Sequence, residues 1–297
     1  MDTVANCPVC EGTNFQSLYT GRTTRKPTDP TEWHVDLCAD CSVSFINPRP
    51  TWHELEPYYT GDYPAYQGSH GAQGNDEQVV ADARASGEFR HIPLPTGKSV
   101  LDVGCGGGFF LRICEKLGAT ITGIEPSPIA AEKAKSFGLN VFQGTIDDFH
   151  TEERFDIITA SQVLEHVPDP VSTLRHMKAL LAPGGTIWIA VPNAGCRWAK
   201  SLGWKWDGAD LPYHLLHFTP ESLAKAATRS GLNVSRMYTR SEPSIVAYSM
   251  HKHLQESWRI PYRVAKLLYR TRMAERLGRQ LDMQMEGDNL IAELTMA

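Results

Sequence analysis

From residue 99 onward, short apolar runs alternate with segments whose apolar residues return every three or four positions. The runs Ser99–Val103 (SVLDV), Thr120–Ile124, Leu139–Phe142 and Phe155–Ala160 (FDIITA) have the length and composition of buried strands. So do Thr186–Val191 (TIWIAV), Leu232–Met237 and Leu290–Leu294 (LIAEL). Between them, Phe109–Lys116, Pro128–Phe137, Pro170–Leu181 and Pro220–Ser230 carry helical patterns, and Gly231 closes the last. This alternation predicts an α/β fold, a mostly parallel sheet with helices on both faces.

The first 95 residues break the pattern. Phe15, Leu18, Tyr19, Trp33, Val35 and Leu37 can make short strands too small to hold themselves together. A Pro- and Tyr-rich linker follows, with a short helix near Trp52–Tyr59 and a flexible turn region at Gly68–Asn75. Residues from Glu77 to His91 have helical composition, ended by Pro93 and Pro95. The expected division is a small module over 1–48, a linker with helices covering a cofactor site over 49–95, and a main domain over 96–297.

The net charge of -5 on 33.0 kDa lacks the basic excess of a general nucleic-acid binder, so no nucleic-acid partner is expected. The N-terminus MDTVANCPVC has no signal-peptide layout, and no apolar run reaches the roughly 18 residues of a membrane helix. Cytoplasmic residence is therefore expected, where thiols stay reduced. Four of the seven cysteines form two C-x-x-C pairs, Cys7/Cys10 and Cys38/Cys41. Two such knuckles supply the four soft ligands of a closed, structural zinc site, whose ion would provide most of the module's folding free energy. The knuckles read CPVCEG and CADCSV, where zinc ribbons usually place Gly directly after the second cysteine. A slightly different geometry is expected there.

At Val100–Phe110 (VLDVGCGGGFF) a strand runs through glycines into a helix. The glycines let a ligand approach the backbone closely. The dinucleotide pattern G-x-G-x-x-G fails, because its third glycine position is Phe109; what stands there is D-x-G-x-G-x-G. A pyrophosphate favours a helix N-terminus, whereas an acid beside the glycines suits a cationic sulfonium with an amino-acid tail, a role that fits Asp102. Glu125, 23 residues on, ends the next strand and can accept hydrogen bonds from ribose hydroxyls.

With these residues, VLDVGCGGG, GIEPS, GTIDDF, FDIITASQVLEHVPDP and LAPGGTIWIAVPN resemble the successive motifs of class I S-adenosylmethionine-dependent methyltransferases. The likeness is nearest to the ubiquinone-biosynthesis O-methyltransferases and related bacterial enzymes. CPVC, INPRPT, LPYHLLHFTPESL and GDNLIAEL extend it to a zinc-ribbon-bearing subgroup. The resemblance implies a Rossmann-like seven-stranded sheet binding S-adenosylmethionine. It places Gly104 and Gly106 on the cofactor's amino-acid part, Thr145, Ile146 and Asp147 on adenine, and Ser161 and Gln162 below the methionine moiety. Tyr63 is a candidate for the cofactor's carboxylate.

Methyl transfer to a hydroxyl requires alignment and proton removal, so histidines are the candidate bases. His166 follows the fourth strand of the domain; His214 and His217, in PYHLLHFT, share a face if that stretch is one helical turn. Glu165 is expected to orient its loop. Tyr58, Tyr59, Tyr63, Tyr66, Trp198, Trp204, Trp206 and Tyr213 either wall the acceptor pocket or pack in the core. Within a helical insertion at 250–285, Trp258–Leu281 carries seven basic residues against Glu275 alone; it can dock on anionic membrane or present a solvated face. The expected activity is methylation of a small or lipid-like acceptor, at oxygen first and carbon next. The alternatives are an NAD-dependent reductase or epimerase, and a non-catalytic zinc-ribbon binding protein. Oligomeric state is left open.

Overall fold

The computed structural model describes residues 1–26, 28–58, 76–258 and 272–297. At the N-terminus β1 (Phe15–Arg22) and β2 (Glu32–Cys38) pair antiparallel, and β3 (Ser44–Ile46) adds to β2. Trp33 and Val35 alternate inward along β2, but a sheet this small cannot bury an apolar face alone. It packs on the main domain instead, so that Val43 and Phe45 share one core with Tyr213, Leu216 and Phe218.

The linker forms α1 (Trp52–Leu55) and a 3-10 turn, Glu56–Tyr58. Tyr59 lies outside the described residues, as do Tyr63, Tyr66 and the turn region from Gly68 to Asn75. The helix expected to reach His91 stops early: α2 is Asp76–Ser86, and a hairpin of β4 (Glu88–Phe89) and β5 (Ile92–Pro93) follows. Gly87 turns left-handed at φ 78° and ends the helix, while Arg90 and His91, at φ 47° and 73°, make the hairpin turn. Phe89 gains a stacked contact on Phe110, with ring centroids 5.5 Å apart, which composition alone could not show.

The main domain runs β6 (Ser99–Val103), α3 (Phe109–Lys116), β7 (Thr120–Glu125), α4 (Pro128–Ser136), β8 (Val141–Gln143), β9 (Phe155–Ser161), α5 (Pro170–Leu180) and β10 (Leu181–Pro192). Then come α6 (Arg197–Leu202), β11 (Leu216–His217), α7 (Pro220–Arg229), β12 (Leu232–Thr239), α8 (Pro243–Trp258), α9 (Met273–Met283) and β13 (Asn289–Met296). Helix starts follow local chemistry: Ser127 and Asp169 accept from Ala130 and Ser172 N–H, each ahead of a proline in the first turn.

The seven-stranded sheet has the order β8-β7-β6-β9-β10-β13-β12. β6 to β10 pair in parallel, and β13 alone runs against both its neighbours. This is the expected Rossmann-like methyltransferase sheet, and in such sheets ligands bind outside the carboxyl ends of the strands, here those of β6, β7 and β9.

The C-terminal insertion differs from the continuous helix expected over 258–281. Helix α8 already starts at Pro243, and Arg272 is a non-helical cap from which α9 starts afresh. Arg259, Arg263, Lys266 and Arg270 lie outside the described residues. Helix α9 buries Ala274, Gly278 and Leu281. A side chain at Gly278 would come within 3.1 Å of Ser241 Cβ, so the helix seats closely on its own chain. Among the described residues no helix is long and apolar enough to cross a membrane.

Candidate functional site

The glycine loop is shaped by backbone need. Gly104, Gly106 and Gly108 all have positive φ, at 74°, 54° and 80°, where an L side chain is strained. A Cβ on Gly104 would also sit 2.6 Å from Val163 Cγ2, so the loop passes tightly under the turn that follows β9.

Glu125 ties this loop to the next strand. Gly106 N–H donates to its Oε2 and Ser127 N–H to its Oε1, both at 2.8 Å. Each oxygen keeps a second lone pair, which suits the paired hydroxyls of a ribose. Burial pushes its pKa up, and the two N–H donors act against that rise. Asp102 is 6% exposed and accepts the Thr159 hydroxyl at 2.6 Å. Desolvation raises its pKa to about 7. A carboxylate that costly to ionise is matched by a cationic ligand, so both acids fit a sulfonium nucleoside.

Other expected cofactor residues line the same edge. Thr145 donates to Asp148 from its hydroxyl at 2.6 Å and from its N–H at 3.2 Å. Ile146 is buried, and Asp147 pairs with His176 Nδ1 at 2.6 Å. Ser161 ends β9; Gln162 turns left-handed at φ 58°, with its amide 3.2 Å from Asn289 Oδ1.

His214 and His217 do not sit on a helical turn. His217 lies in β11, which pairs antiparallel with β3, Ser44 opposite His217 and Phe45 opposite Leu216. An extended edge segment satisfies its backbone through the N-terminal sheet, and sequence alone could not reveal that partner. The two rings instead bond to two successive backbone carbonyls. His214 Nδ1 meets Gly208 O at 2.9 Å, whereas His217 Nε2 meets Ala209 O at 2.8 Å. His166 Nδ1 meets Tyr213 O at 2.8 Å, and its ring stands edge-on to that of His214 with centroids 4.7 Å apart. Burial lowers all three pKa values, to about 4 for His166 and His217.

Glu165 orients its surroundings through its backbone, not its side chain. Its carbonyl accepts Leu215 N–H at 2.7 Å and Leu216 N–H at 3.1 Å, while both carboxylate oxygens are buried without a hydrogen-bond partner among the described residues. Sequence reasoning also missed Asp210, buried beside His214 and bound by Arg25 through bonds of 2.7 and 2.6 Å. The positive charge of Arg25 comes from the N-terminal module, 185 residues away. Tyr58 and Tyr213 pack edge-on at 6.0 Å, with Tyr213 O–H on Tyr58 O at 3.0 Å; Trp198 and Trp206 pack beside α8 and α9.

At the other end of the module, Cys7, Cys10, Cys38 and Cys41 bring their sulfurs within 4.8 Å of one another. Cys7–Cys41 and Cys10–Cys38 are both 3.5 Å apart. A tetrahedral ion with sulfurs at about 2.3 Å needs edges of about 3.8 Å, so the cluster fits zinc. The hydrogen bond from Cys41 holds the Cys7 thiol down to about 5. The knuckles do not depart from the glycine geometry: Glu11 and Ser42 adopt φ 64° and 63°, in the left-handed region glycine favours.

A family profile described as a methyltransferase domain matches residues 78–236. The ubiquinone biosynthesis O-methyltransferase of Actinobacillus pleuropneumoniae is 44% identical over 109 residues, covering 33% of this chain and 47% of that protein. Its Nitrosospira multiformis counterpart is 32% identical over 192 residues, covering 59% and 79%. The chain thus spans about half the length of the first of these curated relatives. Among solved structures, a methyltransferase from Archaeoglobus fulgidus gives a TM-score of 0.50 at 20% identity, covering 75% of this chain and 95% of its own. A chain from the complex of the Haloferax volcanii Trm112 methyltransferase activator with a methyltransferase gives 0.54 at 17%, covering 82% and 96%. At these identities the structures show a shared fold.

Proposed function

This chain belongs to the methyltransferase-domain family and is an S-adenosylmethionine-dependent methyltransferase, and from that premise we propose that it methylates an oxygen of a small or lipid-like acceptor. The observation that carries the acceptor side is the meeting of Glu165, His166 and His214 in the turn region beyond β9, the strand whose end adjoins the glycine loop. S-adenosylmethionine supplies a methyl carbon activated by a sulfonium leaving group. Asp102, Gly104, Gly106 and Glu125 hold the donor, with Thr145, Ile146 and Asp147 at its base and Ser161 and Gln162 beneath its amino-acid end. A hydroxyl must lose its proton to attack, and the His166–His214 pair, kept neutral because burial lowers both pKa values, is the group set that draws it off. His217 is assigned to holding the Ala209 carbonyl.

For the module over 1–48 we propose a structural zinc ion on Cys7, Cys10, Cys38 and Cys41. Four thiolates fill the shell and leave no place for a substrate. The name carried by the curated relatives makes phenolic acceptors, with and without a prenyl tail, the first to assay. Extracts of cells lacking the gene should accumulate a metabolite lighter by one methylene, which the purified protein and S-adenosylmethionine convert. Methylation of that metabolite at carbon or nitrogen would overturn the oxygen assignment.

A further inference from the structure

Arg25 lies on the connection between β1 and β2, in the N-terminal module, yet its guanidinium closes on Asp210 of the main domain. Nε donates to Oδ1 at 2.7 Å and a terminal nitrogen to Oδ2 at 2.6 Å, so both carboxylate oxygens are engaged. Tyr213 backs the guanidinium, whose carbon stands 5.1 Å from the ring centroid. Asp210 is 5% exposed, and His214 Nε2 stands 3.8 Å from its Oδ2, too far for a hydrogen bond. His214 Nδ1 faces the Gly208 carbonyl at 2.9 Å. A carbonyl only accepts, so Nδ1 carries the ring proton and the lone pair of the neutral ring is on Nε2.

The charges around His214 come down to one pair. Burial lowers the pKa of His166 and of His217 to about 4, which keeps both rings neutral. It pushes Glu165 up to about 8, so this carboxyl is mostly protonated at neutral pH. Asp207 is paired with Lys252 at 2.8 Å. Among the described residues, Asp210 and Arg25 are left as the anion and the cation that face the ring. Burial pushes the Asp210 carboxyl up, and the bonds from Arg25 hold it down. Without its guanidinium, a buried carboxylate draws a proton to a base beside it, and His214 Nε2 stands there.

We propose that Arg25 is a positioning residue for methyl transfer: by holding both oxygens of Asp210 it keeps His214 Nε2 unprotonated, able to take the proton of an acceptor hydroxyl. The N-terminal module thereby acts on the site through one side chain. The hydroxyl proton passes to Nε2 and the oxygen's electron pair bonds to the methyl carbon. The carbon–sulfur bond breaks, and its pair leaves on the sulfur of S-adenosylhomocysteine. The imidazolium so formed faces Asp210, whose charge favours it. The proposal deepens the acceptor-site reading and rests on it for the role of His214 as a base.

The full-length, zinc-loaded protein with 15N-labelled histidine is followed by NMR between about pH 6 and pH 8, the His214 signals being identified by their loss in His214→Gln. In the parent, Nε2 should keep the shift of an unprotonated nitrogen throughout. Arg25→Met removes the charge at similar length, and the pH at which His214 takes up its proton should rise by about 1–3 units, into this window. A base that stays protonated to higher pH loses more rate at low pH. Methylation of the metabolite that accumulates without the gene should therefore fall about tenfold more at pH 6 than at pH 8. Arg25→Lys keeps the charge and loses the two-pronged grip, so it should show the same change at smaller size even where Arg25→Met folds poorly. Arg25→Met combined with Asp210→Asn removes both charges and should return Nε2 and the pH profile to those of the parent. Arg22→Met, whose partner is Glu32 on the module surface, should match the parent. A merely structural role would lower the rate equally at both pH values and leave the double variant no better than the single one. That result, or an Nε2 that stays unprotonated in both Arg25 variants, overturns the proposal. A newly protonated Nε2 with an unchanged rate would instead strike at the reading of His214 as the base.

Discussion

The two side-chain clusters of this chain are built in opposite ways. The cysteine cluster draws all its donors from two knuckles within the first 41 residues, and each knuckle closes on itself: Glu11 N–H donates to Cys7 O and Ser42 N–H to Cys38 O, both at 2.9 Å. The Glu165–His166–His214 cluster joins a loop after β9 to a segment 48 residues further on. Only tertiary bonds bring them together, from Leu215 and Leu216 N–H to Glu165 O. The first cluster is set by local turns; the second is set by packing. The two are also linked, because β3, which follows the second knuckle directly, pairs with β11 beside His214.

That link makes the largest effect the one at the cysteines. Cys38→Ser removes one of the four ligands of the proposed zinc at the end of β2, an ion that would supply most of the module's folding free energy. A stability loss above about 3 kcal/mol is expected, read by denaturant melts alongside zinc analysis. Methyl transfer should fall with it, since β11 loses the sheet it pairs with. Full zinc content in Cys38→Ser would dissolve the contrast between the clusters.

His214→Ala tests the second cluster while leaving the four cysteines intact. The expected loss in kcat/KM is about 10²–10⁴-fold, the range for a proton-handling group. S-adenosylhomocysteine affinity should stay within about twofold, because among the described residues the hydrogen bond of His214 goes to Gly208 O and not to the donor site. A matching loss in donor affinity would move the residue to the other side of the cleft.

What the sequence made legible follows the same division. β6 and α3 have the bounds that the apolar pattern and the glycine run suggest, because buried parallel strands and their helices are written in local composition. Asp102 and Glu125 stood out as candidates in the sequence because strand ends and glycine turns lie beside them. The hairpin at Glu88–Pro93 was not, because its turn places Arg90 and His91 left-handed with no glycine to announce it; nor were the strand pairing of His217 and the burial of Glu165, which are set by packing against residues distant in the chain. Arg25 carried no local signal of its bond to Asp210.

Asp102 sharpens the comparison from the donor side, where the charge is buried yet has a ligand to meet. With its pKa at about 7, the free site is mostly protonated at pH 6 and mostly ionised at pH 8. A raised carboxylate pKa stabilises the fold below its unfolded value, and that contribution is lost as pH rises through about 7. A cationic ligand favours the ionised form, so the affinity for S-adenosylmethionine should rise by up to about tenfold across this window. Asp102→Asn should flatten that dependence and weaken binding by about 10-fold at pH 8. Calorimetric titrations at several pH values decide it; a flat profile in the parent would show that Asp102 ionises without the ligand's help.

The smallest effect concerns the knuckles themselves. Ser42 holds φ 63° at a position where zinc knuckles commonly carry glycine. A non-glycine residue there costs about 1 kcal/mol or slightly more, while glycine gives back roughly 0.5–1 kcal/mol through the greater freedom of the unfolded chain. Ser42→Gly also removes the exposed hydrogen bond from Ser42 Oγ to Glu221 Oε2 at 2.9 Å, which contributes little in water. The balance is a net gain of up to about 0.5 kcal/mol in the metal-loaded protein. The zinc-free protein should show a smaller gain, because without the ion the chain is no longer held left-handed at that residue. Paired denaturant melts with and without chelator read the difference. Equal gains in both states would mean that the turn, and not the ion, imposes the conformation, and that the closed cluster is preformed by its own backbone.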